Sequence, residues 1–287
     1  MNPALLQAAL ASLCFGLALN TGRAGLAHLP PRAGAAIGVP SSLALFLLLS
    51  PFTIDWQGFH IGALVVFALV GLFFPGGVTL VTYRSNETLG PTVTASLISG
   101  TAPLFALAAA WLLLDEPIPP KAAFVTLCVV LGIVLITWTG NGLPRGAAGR
   151  LLLWPLSGAL MRGLAQAVIK FGLVLWPSAF AASLVGYAVS TLTVLGFRRM
   201  DGPQRTPPSR AGVAWFACTG LLNGAGLCLM YDALITTPVA VVSPIVASYP
   251  GVTLLVSGLL RQEAFSRRRL AGTLVIVLAV VYLVGGF

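Results

Sequence analysis

One arginine of the sequence lies deep inside an apolar run. Arg162 is the twelfth residue of LLLWPLSGALMRGLAQAVIK, which covers 151–170. Arginine at the centre of a membrane helix costs about 2.5 to 3.5 kcal/mol on insertion scales, so such a side chain faces a cavity or a partner. In a cavity the guanidinium attracts a carboxylate. The alternatives are a structural bond to backbone carbonyls, or a position closer to the membrane surface.

Hydroxyl, amide and phenol side chains in the other apolar runs supply further candidates for a small-molecule cavity, which needs only a few polar anchors. The candidates are Asn20, Thr79, Tyr83, Ser96, Ser99, Arg162, Gln166, Asn223, Tyr231, Ser243, Ser248 and Tyr249. Hydroxyls close to prolines are also placed to donate hydrogen bonds to the backbone carbonyls that proline leaves without an N–H donor. We interpret Tyr83 and Tyr231 as membrane-interface residues in preference to cavity contacts, and the role of Asn223 stays open.

Prolines and glycines within the runs predict places where helices bend, because both weaken the helical hydrogen-bond ladder. The hinge candidates are Pro75, Gly76, Gly77, Pro103, Gly224 and Pro250. For Pro103 we expect a bend point, with Ser99 and Thr101 beside it to satisfy the opened backbone. For the glycines we favour close packing through small residues, including the pair Gly220 and Gly224.

Groups suited to enzymatic chemistry are few and are not clustered. The two histidines and seven acidic residues fall near predicted helix ends, and the four cysteines are scattered through apolar runs. A zinc site or a serine-type triad requires such groups together at depth, and we find no glycine-rich phosphate loop. We therefore expect no catalytic residues, no metal, no cofactor and no ATPase subunit.

The composition is that of a protein embedded in a lipid bilayer. Of the 287 residues, 57% are hydrophobic and 8% are charged, against about 25% charged residues in soluble domains. Apolar runs long enough to cross a bilayer predict an all-α integral membrane protein with ten transmembrane helices, and we read the first run as a retained helix. The predicted spans are 3–26, 33–51, 58–83, 90–114, 120–140, 150–173, 176–197, 210–233, 238–261 and 268–286.

The second half of the sequence repeats the first. A shift of 147 residues carries Pro103 to Pro250 and Glu116 to Glu263, and a shift of 148 carries Tyr83 to Tyr231. We predict a first five-helix repeat at 1–140 and a second at 141–287, forming a single transport domain. Because five is odd, the second copy enters the membrane from the opposite side, as in the inverted repeats of many secondary transporters.

The charged residues predict an orientation. Thirteen of the sixteen Arg and Lys residues fall in loops that follow odd-numbered spans. The positive-inside rule places those loops in the cytoplasm and both termini on the non-cytoplasmic side. The net charge of +9 thus indicates membrane orientation and not nucleic-acid binding.

Two segments carry a resemblance to a known family. APLFALAAAWLLLDEP and YPGVTLLVSGLLRQEA, each an apolar run that closes on a glutamate and is followed by a glycine-containing helix, resemble the drug/metabolite transporter superfamily, in particular its EamA-type ten-helix carriers. SLCFG in the first span is also similar to that family's N-terminal pattern. The resemblance implies a carrier of the bacterial inner membrane with a central cavity lined mainly by spans one, three, four, six, eight and nine.

Within that superfamily, the overall character is most similar to bacterial exporters of amino acids, particularly aromatic ones. We expect a secondary carrier that exports amino acids or related small metabolites by alternating access, with a small-molecule substrate and the bilayer as its partners. Since no acid or histidine is predicted at depth, we expect transport without a deep proton-carrying carboxylate. The alternatives are a carrier of sugar phosphates or drugs, a lipid-acting enzyme hinted at only by Asp232 beside Tyr231, and a structural subunit.

Overall fold

The computed structural model is helical throughout the part of the chain that it describes. It describes residues 2–284 except 55, 57, 90, 138–148, 201–208 and 260–266, and for some helical residues only the backbone. The helices are α1 (Pro3–Leu26), α2 (Pro31–Thr53), α3 (Ile61–Phe73), α4 (Gly76–Leu89), α5 (Pro91–Leu114), α6 (Pro120–Thr137), α7 (Gly149–Leu175), α8 (Ala179–Met200), α9 (Arg210–Thr236), α10 (Val239–Ala247), α11 (Tyr249–Leu259) and α12 (Arg267–Val284). They form the ten predicted spans, because α3 with α4 and α10 with α11 are each one span.

The outer surface of the bundle is apolar. Leu48, Phe52, Val174 and Leu192 are each at least 72% exposed, which is stable only against lipid. Among the described residues, eight helical stretches are long and apolar enough to cross a membrane. The remaining two spans are α6, which is shorter, and α12, which begins with three arginines.

The third span is broken at Pro75, between α3 and α4. A proline has no N–H, so the carbonyl of Gly71, four residues earlier, loses its helical donor. The hydroxyl of Ser190 on α8 takes that place and donates to the Gly71 oxygen at 2.6 Å. The same hydroxyl accepts from the Gly76 N–H at 3.1 Å. One serine of the second repeat thus satisfies both sides of the break.

The ninth span is broken at Ser248, and its counterpart, the fourth span, is not. α10 contains Pro244, and Pro250 follows six residues later, so two backbone N–H donors are missing within two turns. The Ser248 hydroxyl donates to the Ile245 oxygen at 2.6 Å. By contrast, α5 continues through its single Pro103. There Thr101 donates to the Leu97 oxygen at 2.6 Å.

The two repeats pack on each other through equivalent residues. A Cβ at Gly16 of α1 would lie 2.7 Å from Val252 of α11. A Cβ at Gly163 of α7 would lie 2.7 Å from Phe105 of α5. The shift of 147 residues relates Gly16 to Gly163 and Phe105 to Val252, so the two contacts join equivalent positions. The first span of each repeat therefore lies against the fourth span of the other, as expected for intertwined inverted copies.

One end of the bundle, which we call the terminal end, collects the start of α1 and the end of α12. Gln7, near the start of the chain, donates to the carboxylate of Asp232 close to the end of α9. Lys121, at the start of α6, donates to the carbonyl of Leu283 at 3.3 Å. The connections 115–119, 176–178 and 237–238 lie at this end too.

Candidate functional site

A cavity lies at the centre of the bundle, between the two repeats. Its inner part is lined by residues of α1, α5, α7, α9 and α10, together with Phe74 at the α3–α4 break and Tyr249 at the start of α11. The polar side chains on this inner part are Ser99, Arg162, Gln166, Asn223, Ser243 and Tyr249. All six are among the candidates predicted from sequence, and they come from both repeats.

Arg162 is the charged group of this cavity. Its Nη1 donates to the hydroxyl of Tyr249 at 3.0 Å. The guanidinium carbon lies 5.7 Å from the ring centre of Tyr249 and 6.0 Å from that of Phe74, distances at which a cation is attracted to an aromatic face. Its Nε is buried and has no hydrogen-bond partner. The guanidinium is thus held in place while part of its bonding capacity stays unused.

No acidic side chain among the described residues neutralises Arg162. Glu116 is paired with Lys170, Asp232 accepts from Gln7, and Asp115 is exposed. None of the three lines the cavity. The described cavity wall therefore carries one cationic side chain and no acidic one.

Two further polar atoms beside Arg162 lack partners. The Oε1 of Gln166, whose side chain is 5% exposed, has no donor, and neither does the hydroxyl of Ser243, which is 1% exposed. A buried polar group without a partner costs about 1 to 3 kcal/mol. Such groups around a cavity favour a ligand that supplies the missing bonds.

The rest of the inner wall is apolar and aromatic. Phe15, Leu19, Phe74 and Met230 lie on it, with Pro103. Phe15 meets Tyr249 edge to face, with ring centres 6.4 Å apart. The inner cavity therefore combines one cationic corner with an apolar chamber.

The cavity extends from this chamber towards the end opposite the termini. Its outer part shares Phe15, Phe74, Arg162 and Asn223 with the inner part and continues along α2 and α9 to Gly34 and Phe216. Those two residues lie close to the first residues of their helices, Pro31 and Arg210. Thr79 and Pro75 line this outer part.

The terminal end of the cavity is closed by packing and by a partly buried group of charges. Every residue of α10 is buried. Lys170 of α7 pairs with Glu116 beyond α5 at 2.6 Å, and the two side chains are 13% and 14% exposed. Lys170 also donates to the Thr237 oxygen at 2.8 Å, and Glu116 accepts from the Val239 N–H at 2.9 Å. The cation thus sits at the C-terminus of α9 and the anion at the N-terminus of α10, the favourable arrangement at both helix ends.

Three predicted cavity residues lie elsewhere. Asn20 donates from α1 to the carbonyls of Gly16 and Thr253, and Ser248 shares a hydrogen bond with Ser12 at 2.9 Å. Tyr231 is 1% exposed in the core, so the interpretation as an interface residue is wrong for it, because neighbouring helices cover it. The side chains of Tyr83 and Ser96 lie outside the described residues.

The hinge candidates divide into breaks and packing positions. Pro75 begins the α3–α4 break, and Gly77 follows it. Gly76 packs on Ser190, and Gly224 packs on Ser42 of α2, where an added Cβ would come within 3.2 Å. Pro250 lies just after the break in the ninth span. Pro103 lies inside α5, which is continuous there, and its role as a bend point stays a prediction.

Sequence reasoning missed two features of this region. Phe15 and Phe74 line the cavity, but aromatic residues are too frequent in apolar runs to be singled out. Lys170 and Glu116 form an ion pair that the sequence analysis did not predict. The two residues carry opposite charges but lie far apart in the sequence, so their contact could not be predicted from it.

The protein is an apolar ten-span bundle of two inverted repeats, closed at one end around a central cavity with one cationic corner, an architecture typical of membrane transporters. The chain belongs to the EamA-like transporter family, whose profile matches it twice, at residues 2–138 and 149–285. No curated protein matches the sequence significantly. A solved structure described only as a crystal structure of a protein is similar in fold, with a TM-score of 0.77 over 97% of this chain and 95% of the other, at 15% sequence identity.

Proposed function

We propose that the protein is a secondary carrier of the bacterial inner membrane that exports amino acids or related small metabolites bearing a carboxylate. The observation that carries this proposal is Arg162, a cation on the cavity wall without an acidic partner among the described residues. Guanidinium binds carboxylate through charge-assisted, frequently bidentate hydrogen bonds. The unpartnered Nε supports this role over that of a purely structural bond.

The chamber beside Arg162 supports a substrate with a sizeable apolar group. Phe15, Phe74 and Tyr249 provide aromatic surfaces, and Met230 provides a deformable one. We therefore propose aromatic or large aliphatic side chains on the carboxylate. This narrower proposal rests on the lining of the cavity alone.

Other substrate classes are less well supported by the cavity wall. A sugar phosphate, with about two negative charges near neutral pH, favours several cations, and Arg162 is the cation that lines the described cavity. A cationic drug favours an acid, which the described lining does not contain. A lipid-acting enzyme would need accessible catalytic groups. Asp232 is bonded to Gln7 and Tyr231 is buried, so neither residue supports that function.

We further propose that the two repeats rock around the cavity to give alternating access. The cavity extends away from the terminal end, and the positive-inside rule places that side in the cytoplasm. In this interpretation the present conformation accepts substrate from the cytoplasm for export. No ATPase subunit is part of the proposal, and the substrate gradient drives the movement.

Counterflow into liposomes tests the proposed substrate class. Purified protein is reconstituted without an ion gradient, and unlabelled carboxylates are compared with their own amides for exchange of labelled carboxylate. We expect carboxylates with apolar side chains to exchange and the amides, which lack the negative charge, to fail. Equal exchange of both forms, or of neither, contradicts the proposal.

A further inference from the structure

We infer that the cavity prefers monoanionic carboxylates, such as 2-hydroxy acids or N-acyl amino acids, over zwitterionic amino acids, and that Gln166 sets this preference. The inference rests on the proposed function, because it assumes a carboxylate bound at Arg162. It refines that function by naming the net charge of the favoured substrate.

The charge on the described cavity wall is the first observation. Arg162 is present without an acid, and the described acids are bonded elsewhere or exposed. A monoanion forms a neutral pair with the guanidinium. A zwitterion brings in addition an ammonium group, which loses its hydration and gains no anion in return. Burying a charge without a counter-charge is costly, so the second ligand is disfavoured.

The position of Gln166 is the second observation. It lies four residues after Arg162 on α7, and both side chains line the inner cavity. Side chains four residues apart on a helix share a face, with Cβ atoms about 5 to 6 Å apart. When a carboxylate lies on Arg162, the substituent on its α-carbon is therefore directed to the neighbourhood of Gln166.

The unused bonding capacity at this point is the third observation. Gln166 Oε1 is buried and lacks a donor, and the Ser243 hydroxyl on the same cavity lacks a partner. A neutral amide oxygen accepts from an O–H or an N–H, but unlike a carboxylate it does not neutralise an ammonium group. An α-hydroxyl or an acylated α-amino group provides that donor without adding charge. Gln166 thus recognises the α-substituent while keeping the cavity selective for net charge.

A matched pair of probes tests the inference, namely L-phenylalanine and L-3-phenyllactate, which differ only in the amino or hydroxyl group on the α-carbon. Each unlabelled probe is tested at pH 7.4 as a competitor in counterflow, first against labelled phenyllactate and then against labelled phenylalanine. Protein-free liposomes correct for passive leakage. We expect phenyllactate to be preferred by about tenfold or more, which corresponds to a difference of about 1.4 kcal/mol in binding free energy. Equal exchange, or faster exchange of phenylalanine, overturns the inference and leaves the proposed function intact.

Two substitutions at the same position sharpen the result. Gln166→Glu adds the missing negative charge, so the preference should shift towards phenylalanine. Gln166→Leu removes the acceptor without adding charge, so exchange of phenyllactate should fall, but phenylalanine gains no counter-charge and should not become the preferred probe. An unchanged ratio in Gln166→Glu contradicts the inference. Size-exclusion profiles establish folding, and Ser243→Asp places a carboxylate on the same cavity if Gln166→Glu does not fold.

The proposed function fails by a different result. If the parent protein exchanges neither probe nor any other carboxylate, then the proposed class of substrate is wrong, and the inference falls with it. If carboxylates exchange but the amino and hydroxyl forms are not distinguished, only the inference is wrong.

Discussion

At the scale of single residues, the identity of the cation at position 162 matters as well as its charge. Arg162→Lys keeps the positive charge but loses the planar fork that reaches Tyr249 and stacks near Phe74. We expect the half-saturating substrate concentration to rise about fivefold to fiftyfold, within the range of one lost charge-assisted hydrogen bond. Counterflow at varied substrate concentration measures it. An unchanged value would show that a point charge is sufficient.

Chemistry-bearing residues were the most predictable part of the site. A charge within an apolar run is costly wherever it lies, so Arg162 was identifiable without a structure. Tyr231 was not, because a tyrosine is equally suited to a membrane interface and to a covered position. Only the packing of neighbouring helices places it in the core, at 1% exposure.

At the scale of helices, the close crossing of α2 and α9 depends on glycine. A Cβ at Gly220 would lie 2.1 Å from the carbonyl oxygen of Gly38, which is backbone and cannot turn aside. We expect Gly220→Ala to destabilise the folded protein by about 1 to 3 kcal/mol, as overpacking generally does. Thermal unfolding in detergent measures the loss. Gly196→Ala is the matched control, since an added Cβ there meets nothing within 4 Å, and an equal effect of both changes would contradict the account.

The break between α3 and α4 gives a second prediction at this scale. Ser190→Ala removes the hydroxyl that serves both Gly71 and Gly76. Leaving these backbone groups unpaired should lower stability by about 1 to 3 kcal/mol, again measured by thermal unfolding. Ser50→Ala is the control, because its exposed hydroxyl bonds only to a carbonyl of its own helix. A Ser190→Ala protein as stable as the control would show that the break is satisfied in another way.

Helix number and order followed from the sequence, but the positions of the breaks did not. Apolar length predicts a span, whereas a proline predicts only a missing donor. Pro103 leaves α5 continuous, while the ninth span, with Pro244 and Pro250, divides at Ser248. At the break of the third span, Ser190 of α8 supplies the missing bonds, and such a contact is known only from the tertiary structure.

At the scale of the whole molecule, the ion pair between Lys170 and Glu116 joins the two repeats at the terminal end. Removal of one partner leaves the other charge buried, whereas removal of both does not. We expect Lys170→Met and Glu116→Gln each to lower stability by about 1 to 3 kcal/mol, with the double variant clearly less destabilised than the sum. A double-mutant cycle in thermal unfolding measures the coupling. Strict additivity would mean that the two charges do not act together.

The internal repeat in the sequence predicted the architecture of the whole molecule. Matched prolines and glutamates separated by 147 residues indicated inverted copies, and the equivalent contacts of Gly16 and Gly163 follow that relation. The closure of the terminal end was not predictable, since Lys170 and Glu116 lie in different repeats and meet only after both have packed.

The central claim is that a carboxylate binds in the cavity at Arg162. It is tested most directly by equilibrium binding of a labelled carboxylate substrate to purified protein, with Arg162→Met compared to Arg210→Met, which removes an exposed arginine at a helix start. We expect Arg162→Met to lower the affinity by about tenfold to a hundredfold, in proportion to one charged hydrogen-bond pair, and Arg210→Met to bind like the parent. Binding to Arg162→Met as tight as to the parent would contradict the account.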